Sequence, residues 1–189
     1  MGLHIHSLVN VPPNVNRDYF IYLLDYGWDE PLGEALMKNY DKMARIAAKS
    51  KAVVIRGTEP HFQDEVFSWH SINGENADDI LPAILITNKH PDQFRGHYFD
   101  SERVINDATY KLILIPLRRF CKSTTDVIVL IDKLFSDIQD EKDLRDFKIA
   151  QEMKQGFGKA LVDSIILEPN IGGIGFSFKN MLGYLFSKK

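Results

Sequence analysis

Apolar side chains along this chain follow two different periods. Four runs are nearly continuous: Tyr19 to Leu24, Ala52 to Ile55, Leu81 to Thr87 and Tyr110 to Pro116. Short apolar runs without alternation suit strands buried on both faces. Between them the spacing turns helical. Leu36, Tyr40, Met43 and Ala47 recur at steps of four, three and four, with charged residues between them. Pro31 behind Asp29 and Glu30 suits the first turn of that helix, where acids complement the positive dipole end. Phe62, Val66 and Trp69 mark a second, shorter helix. The strongest helical stripe is Val127, Leu130, Ile131, Leu134, Phe135 and Ile138, with Ser123 or Thr124 as its cap. A further helix is predicted over 141–155, with Leu144, Phe147 and Met153 inward.

The ends read differently. Residues 1–17 form a leader in which Val11-Pro12-Pro13-Asn14 forbids regular structure. Beyond the last strong helix, residues 160–167 suit a strand, 168–173 a turn and 174–178 a returning strand. An amphipathic helix on Phe178, Met181, Leu182, Leu185 and Phe186 closes the chain. The expected architecture is an α/β domain over 18–138, with a central mixed sheet flanked by helices. A helix–hairpin–helix extension over 139–189 packs on that domain or on a partner. A right-handed crossover makes the strands at 19–24 and 52–55 parallel neighbours.

The order strand, helix, strand, helix, strand, strand, helix through residue 138 resembles the thioredoxin fold. Where thioredoxins carry Trp-Cys-Gly-Pro-Cys, this chain has Trp28-Asp29-Glu30-Pro31-Leu32, which keeps the Trp and Pro and replaces both cysteines. Pro82, in Leu81-Pro82-Ala83, is similar in context to the cis proline that faces that motif in the family. The acid that thioredoxins bury beneath their cysteines falls, by counting back from Trp28, at Leu23. The resemblance implies a redox-inactive scaffold. What it retains is a groove lined by Trp28, Asp29, Glu30, Pro31, Leu81 and Pro82, where backbone groups beside the proline meet an extended peptide. Thiol–disulfide exchange needs an attacking thiolate and a resolving thiol, and the chain has one cysteine, Cys121.

Composition narrows the function classes. The chain has 189 residues, 44% apolar and 26% charged, which excludes disorder and collagen-like repeats. Lys+Arg 23 against Asp+Glu 26 gives a net charge of -3, so no whole-chain basic footprint for nucleic acid exists. One cysteine excludes an internal disulfide framework. No HExxH, clustered Cys/His, G-x-S-x-G or P-loop pattern occurs, and neither a metal nor a cofactor is expected. A secretory leader and an apolar run of about 18 residues are both lacking, which makes the cytoplasm the expected compartment.

The expected function is a non-catalytic protein-binding module, an adaptor or sensor, with a protein partner or a second copy of the chain. The Trp28/Pro82 region is its binding surface, and Phe178, Met181, Leu182, Leu185 and Phe186 form an interface. Two alternatives stay open. One is an enzyme whose site gathers Asp29, Glu30, His61, His90 and His97. The other is a peripheral membrane protein acting through its amphipathic tail.

Overall fold

A computed structural model describes residues 1–27, 30–70, 72, 80–95, 112–157 and 166–167. The chain builds an α/β structure around one mixed sheet. In chain order its elements are β1 (Gly2–Ile5), a 3-10 turn (Leu8–Asn10), β2 (Tyr19–Leu24), α1 (Pro31–Lys38), α2 (Tyr40–Lys49) and β3 (Ala52–Gly57). Then follow α3 (Phe62–Trp69), β4 (Ala83–Thr87), α4 (Asp92–Arg95), β5 (Leu112–Pro116), α5 (Leu117–Phe120) and α6 (Thr124–Gln139). A second 3-10 turn (Leu144–Asp146), α7 (Lys148–Phe157) and β6 (Ile166–Leu167) complete the described elements.

The sheet order is β1-β3-β2-β4-β5-β6. β3 lies parallel to both β1 and β2, the β2–β3 pairing being the one expected, while β4 runs antiparallel to β2 and β5 antiparallel to β4. β2, β4 and β5 are buried along their whole length, which is why their sequences lack alternation. Strand side chains alternate between faces, and β2 tells the faces apart. Tyr19 reaches Phe147, with ring centroids 5.9 Å apart, and Tyr22 reaches His70 at 5.1 Å. Helices α1, α2, α6 and α7 therefore form one layer, where α2 packs on β3 and β1 and α6 packs against α1 and α7. The C-terminal end of helix α3 meets the opposite face through His70, and the first 3-10 turn packs against α3.

The leader belongs to this sheet. Its residues 2–5 form the edge strand beside β3, and the Glu65 carboxylate holds the following turn, accepting from Ser7 Oγ at 2.6 Å and Leu8 N at 2.9 Å. From the extension, β6 pairs with β5, joining Leu112 to Leu167 and Ile113 to Ile166. The expected returning strand and closing helix lie outside the described residues.

Three expected elements differ in detail. The helix through Leu36 and Tyr40 breaks at Asn39, whose backbone leaves helical geometry while its side-chain amide donates to Ala35 O at 2.8 Å. The helix expected from 141 starts only at Lys148. Asp143 caps a 3-10 turn through the Arg145 amide, and Phe147 is extended. Leu144 and Phe147 are nevertheless buried, as expected. On α3 the buried face is Phe62, Gln63, Val66 and Phe67, with His70 just beyond the helix; Trp69 is only partly buried.

Helix α6 follows its stripe, with Val127, Leu130, Ile131, Leu134, Phe135 and Ile138 all buried. Ser123 and Asp126 form a capping box, the Asp126 amide donating to Ser123 Oγ and the Ser123 amide to Asp126 Oδ2. Ser123→Ala is expected to cost about 1 kcal/mol, read as a lower denaturant midpoint at unchanged slope.

Candidate functional site

The sheet order brings three chain segments to one end of the sheet. Leu24 closes β2 opposite Ala83 at the start of β4, and Ala83 lies opposite Pro116 at the end of β5. The chain leaves β2 through Asp25 and comes back as α1 at Glu30 and Pro31. It enters β4 through Leu81 and Pro82, joined by a cis peptide bond. Four of the six groove residues expected from sequence, Glu30, Pro31, Leu81 and Pro82, thus sit at the same end. Trp28 and Asp29 lie outside the described residues, as do Phe178, Met181, Leu182, Leu185 and Phe186.

The dipeptide that follows β5 ties the two halves together. The Leu117 amide donates to Pro82 O at 2.8 Å. Arg118 grips the Glu30 carboxylate with two hydrogen bonds, from Nε at 2.9 Å and from Nη2 at 2.6 Å. Glu30 occupies the N-cap position of α1, yet its side chain makes no capping hydrogen bond. Glu30 thus stands at the helix start as expected, but its carboxylate takes the Arg118 guanidinium, whose fork matches it, in place of a backbone amide.

Beneath this pair lies Asp25. Counting back from Trp28 points to Leu23, which is buried and apolar. The carboxylate that meets α1 is Asp25, which its place in the sequence marks only as a turn residue. A methyl on Gly33 would stand 2.7 Å from Asp25 Oδ2, so the absence of a side chain there lets the carboxylate lie against the first turn of α1. Burial raises the Asp25 carboxyl above the ordinary carboxylate range, opposed by the Gly27 amide that donates to it; Glu30 adds to the rise, and Arg118 and the Tyr26 amide counter it. Helix α3 holds the same loop from the other side. Gln63 Nε2 donates to Asp25 O, and Tyr26 Oη donates to Asp64 Oδ1 at 3.4 Å.

Asp25, Gln63 and Arg118 are the residues that sequence reasoning missed. A usable signal existed for Arg118, because the residue after an antiparallel strand returns to where its neighbour began. By sequence alone it groups with Arg119 and Lys122 as a solvated basic patch.

The described members of the enzyme constellation, Glu30, His61 and His90, are not gathered. His61 sits before α3 with its ring 5.1 Å from that of His6, on the β1 side of the sheet. His90 packs on Phe20 at 5.4 Å, near the other end of β2 from Glu30. Asp29 and His97 lie outside the described residues. Among the described residues no group of three or more His, Cys, Asp or Glu side chains is placed to hold a metal ion. Cys121, just past α5, is buried, and burial pushes its thiol up to about 11, with Asp126 adding to the rise. A thiol in that state has little of the thiolate that exchange chemistry uses. No helix among the described residues is long and apolar enough to cross a membrane.

No family model, curated protein or solved structure matches the chain.

Proposed function

We propose that this chain is a redox-inactive, thioredoxin-like binding module that takes an extended polypeptide segment at the end of the sheet where Glu30, Pro31, Leu81 and Pro82 meet. The observation that carries this reading is the Leu117–Arg118 bridge. One residue fixes the Pro82 carbonyl and the next fixes the Glu30 carboxylate, so two segments far apart in sequence form one surface. Two further features support it. Pro82 precedes β4, whose first residue, Ala83, pairs with Leu24 at the end of β2 from which the chain runs to α1. A half-buried carboxylate, Asp25, lies against Gly33 in the first turn of α1, two residues past Leu23, the position the resemblance gives to an acid. The missing cysteines leave recognition as the role of this surface, with a protein as partner.

The first test is affinity for a peptide selected from a displayed random dodecapeptide library. Glu30→Arg places a like charge against Arg118 and is expected to weaken the selected peptide at least tenfold. Its circular dichroism spectrum should match that of the parent, since both side chains reach solvent, Arg118 at 39% and Glu30 at 21% exposure. Failure to select any peptide, or an affinity within twofold of the parent in the variant, contradicts the reading.

A further inference from the structure

His70 follows α3, buried, with its ring against Tyr22 of β2 at 5.1 Å and Phe94 of α4 at 4.3 Å. Its Nδ1 lies 2.8 Å from the carbonyl of Val66. A carbonyl only accepts, so Nδ1 carries the proton and Nε2 is the basic nitrogen. Nε2 is buried and has no hydrogen-bond partner among the described residues, and the same holds for Tyr22 Oη and Gln63 Oε1. Gln63 and His70 are seven residues apart, two helical turns, so both face the sheet from one side of α3.

Among the described residues no carboxylate offers a counter-charge at the ring. On β2 the facing group is the Tyr22 hydroxyl, which burial holds well above its ordinary range, with Asp92 adding to the rise. On α4, Phe94 is apolar, and Asp92 is 3.5 Å from His90. On α3 itself, Asp64 and Glu65 are engaged elsewhere, with Tyr26 and with Ser7 and Leu8. Against the described residues an imidazolium would be desolvated and unpaired, which folded structures avoid by moving the group to water.

We propose that His70 is an acid-sensitive latch on the surface described above: when its ring gains a proton, the C-terminal end of α3 leaves β2, and Asp25 and Tyr26 lose their hold with it. The coupling is mechanical and short. The helix that His70 follows carries in its first turn Gln63 and Asp64, which hold Asp25 and Tyr26. The proposal rests on the reading of that end of the sheet as a binding surface, and it adds control of that surface by pH.

Burial lowers the His70 pKa to about 4, countered by its bond to Val66. A released ring titrates near the ordinary value of about 6.5. The closed form is therefore favoured above 6.5, and the preference is lost as pH falls from about 6.5 towards 4. Between pH 7 and pH 5 the opening equilibrium should rise about twentyfold.

The test is amide hydrogen exchange on the free protein, corrected for the intrinsic effect of pH. Protection in α3 and at residues 24–27 is expected to fall together, about twentyfold between pH 7 and pH 5. Protection in α6 should hold, and His70→Phe should abolish the change. Unchanged protection in α3, an equal fall in α6, a fall in α3 without residues 24–27, or the same fall in His70→Phe overturns the latch. If His70→Phe does not fold, the ring of the parent protein still decides. Its NMR titration should have a midpoint below about pH 5, and a midpoint near 6.5 overturns the proposal. No peptide takes part in these measurements, so failure to select one would sink the binding reading and leave the latch to be judged separately.

Discussion

Gly57→Ala is expected to destabilise the protein by about 2–3 kcal/mol and lower its melting temperature by about 4–12 °C. Gly57 ends β3 where the chain turns into α3. A methyl group there would overlap both Cβ and Cγ of Phe62. Phe62 is fully buried. The clash falls at the root of its side chain, so rotation of the ring does not relieve it. Either the ring leaves the core or the first turn of α3 shifts outward. A shift carries Gln63 away from Asp25, so the loop at the sheet end should lose amide protection along with α3. Denaturant titration gives the stability; a Gly57→Ala variant within about 0.5 kcal/mol of the parent contradicts this packing.

Asp137→Ala should cost a comparable amount, about 2–4 kcal/mol, and it acts on the other face of the sheet. Asp137 is 0% exposed although it lies on a helix. Its carboxylate accepts from Lys142 Nζ at 2.7 Å and from the Lys148 amide at 2.5 Å. Hydrogen bonding to Asp137 raises the Lys142 ammonium above its ordinary range. Removing the carboxylate leaves the first amide of α7 without its acceptor and frees a lysine that had been held against α6. The lysine is 30% exposed and regains water, which keeps the cost below that of a wholly buried pair. Residues 144–157 should therefore lose exchange protection before the sheet does. Asp137→Asn, which keeps one acceptor, should recover part of the loss. Equal stability of the Ala variant and the parent would contradict the role assigned to this carboxylate.

Much of the architecture was legible because burial on both faces leaves a simple mark. The runs at Tyr19, Ala52, Leu81 and Tyr110 each became a strand, and the parallel pairing of β2 with β3 followed from the crossover rule. The α6 stripe was legible for the same reason. Polar residues inside apolar faces were not. Asp137 lies seven residues after Leu130 and three after Leu134, so its place on the buried face was open to reading. An acid is normally assigned to solvent unless its partners are known, and Lys142 and the Lys148 amide come from the next turn of chain. His70 follows Gln63 by two helical turns in the same way, while the larger Trp69 drew the expected face one residue aside. At the candidate site, Glu30, Pro31, Leu81 and Pro82 came from a short local resemblance. Asp25 was hidden because the count back from Trp28 assumed a fixed loop length. Arg118 was hidden because its partner is distant in sequence and adjacent only through the strand order.

The most direct test of the binding surface is an NMR map of the amide shifts caused by the library-selected dodecapeptide. The largest changes are expected at residues 25–27, 30–33, 81–83 and 117–118, with α6 and α7 unaffected. Changes centred on α6 or on the β1 edge, with those four segments silent, would contradict it.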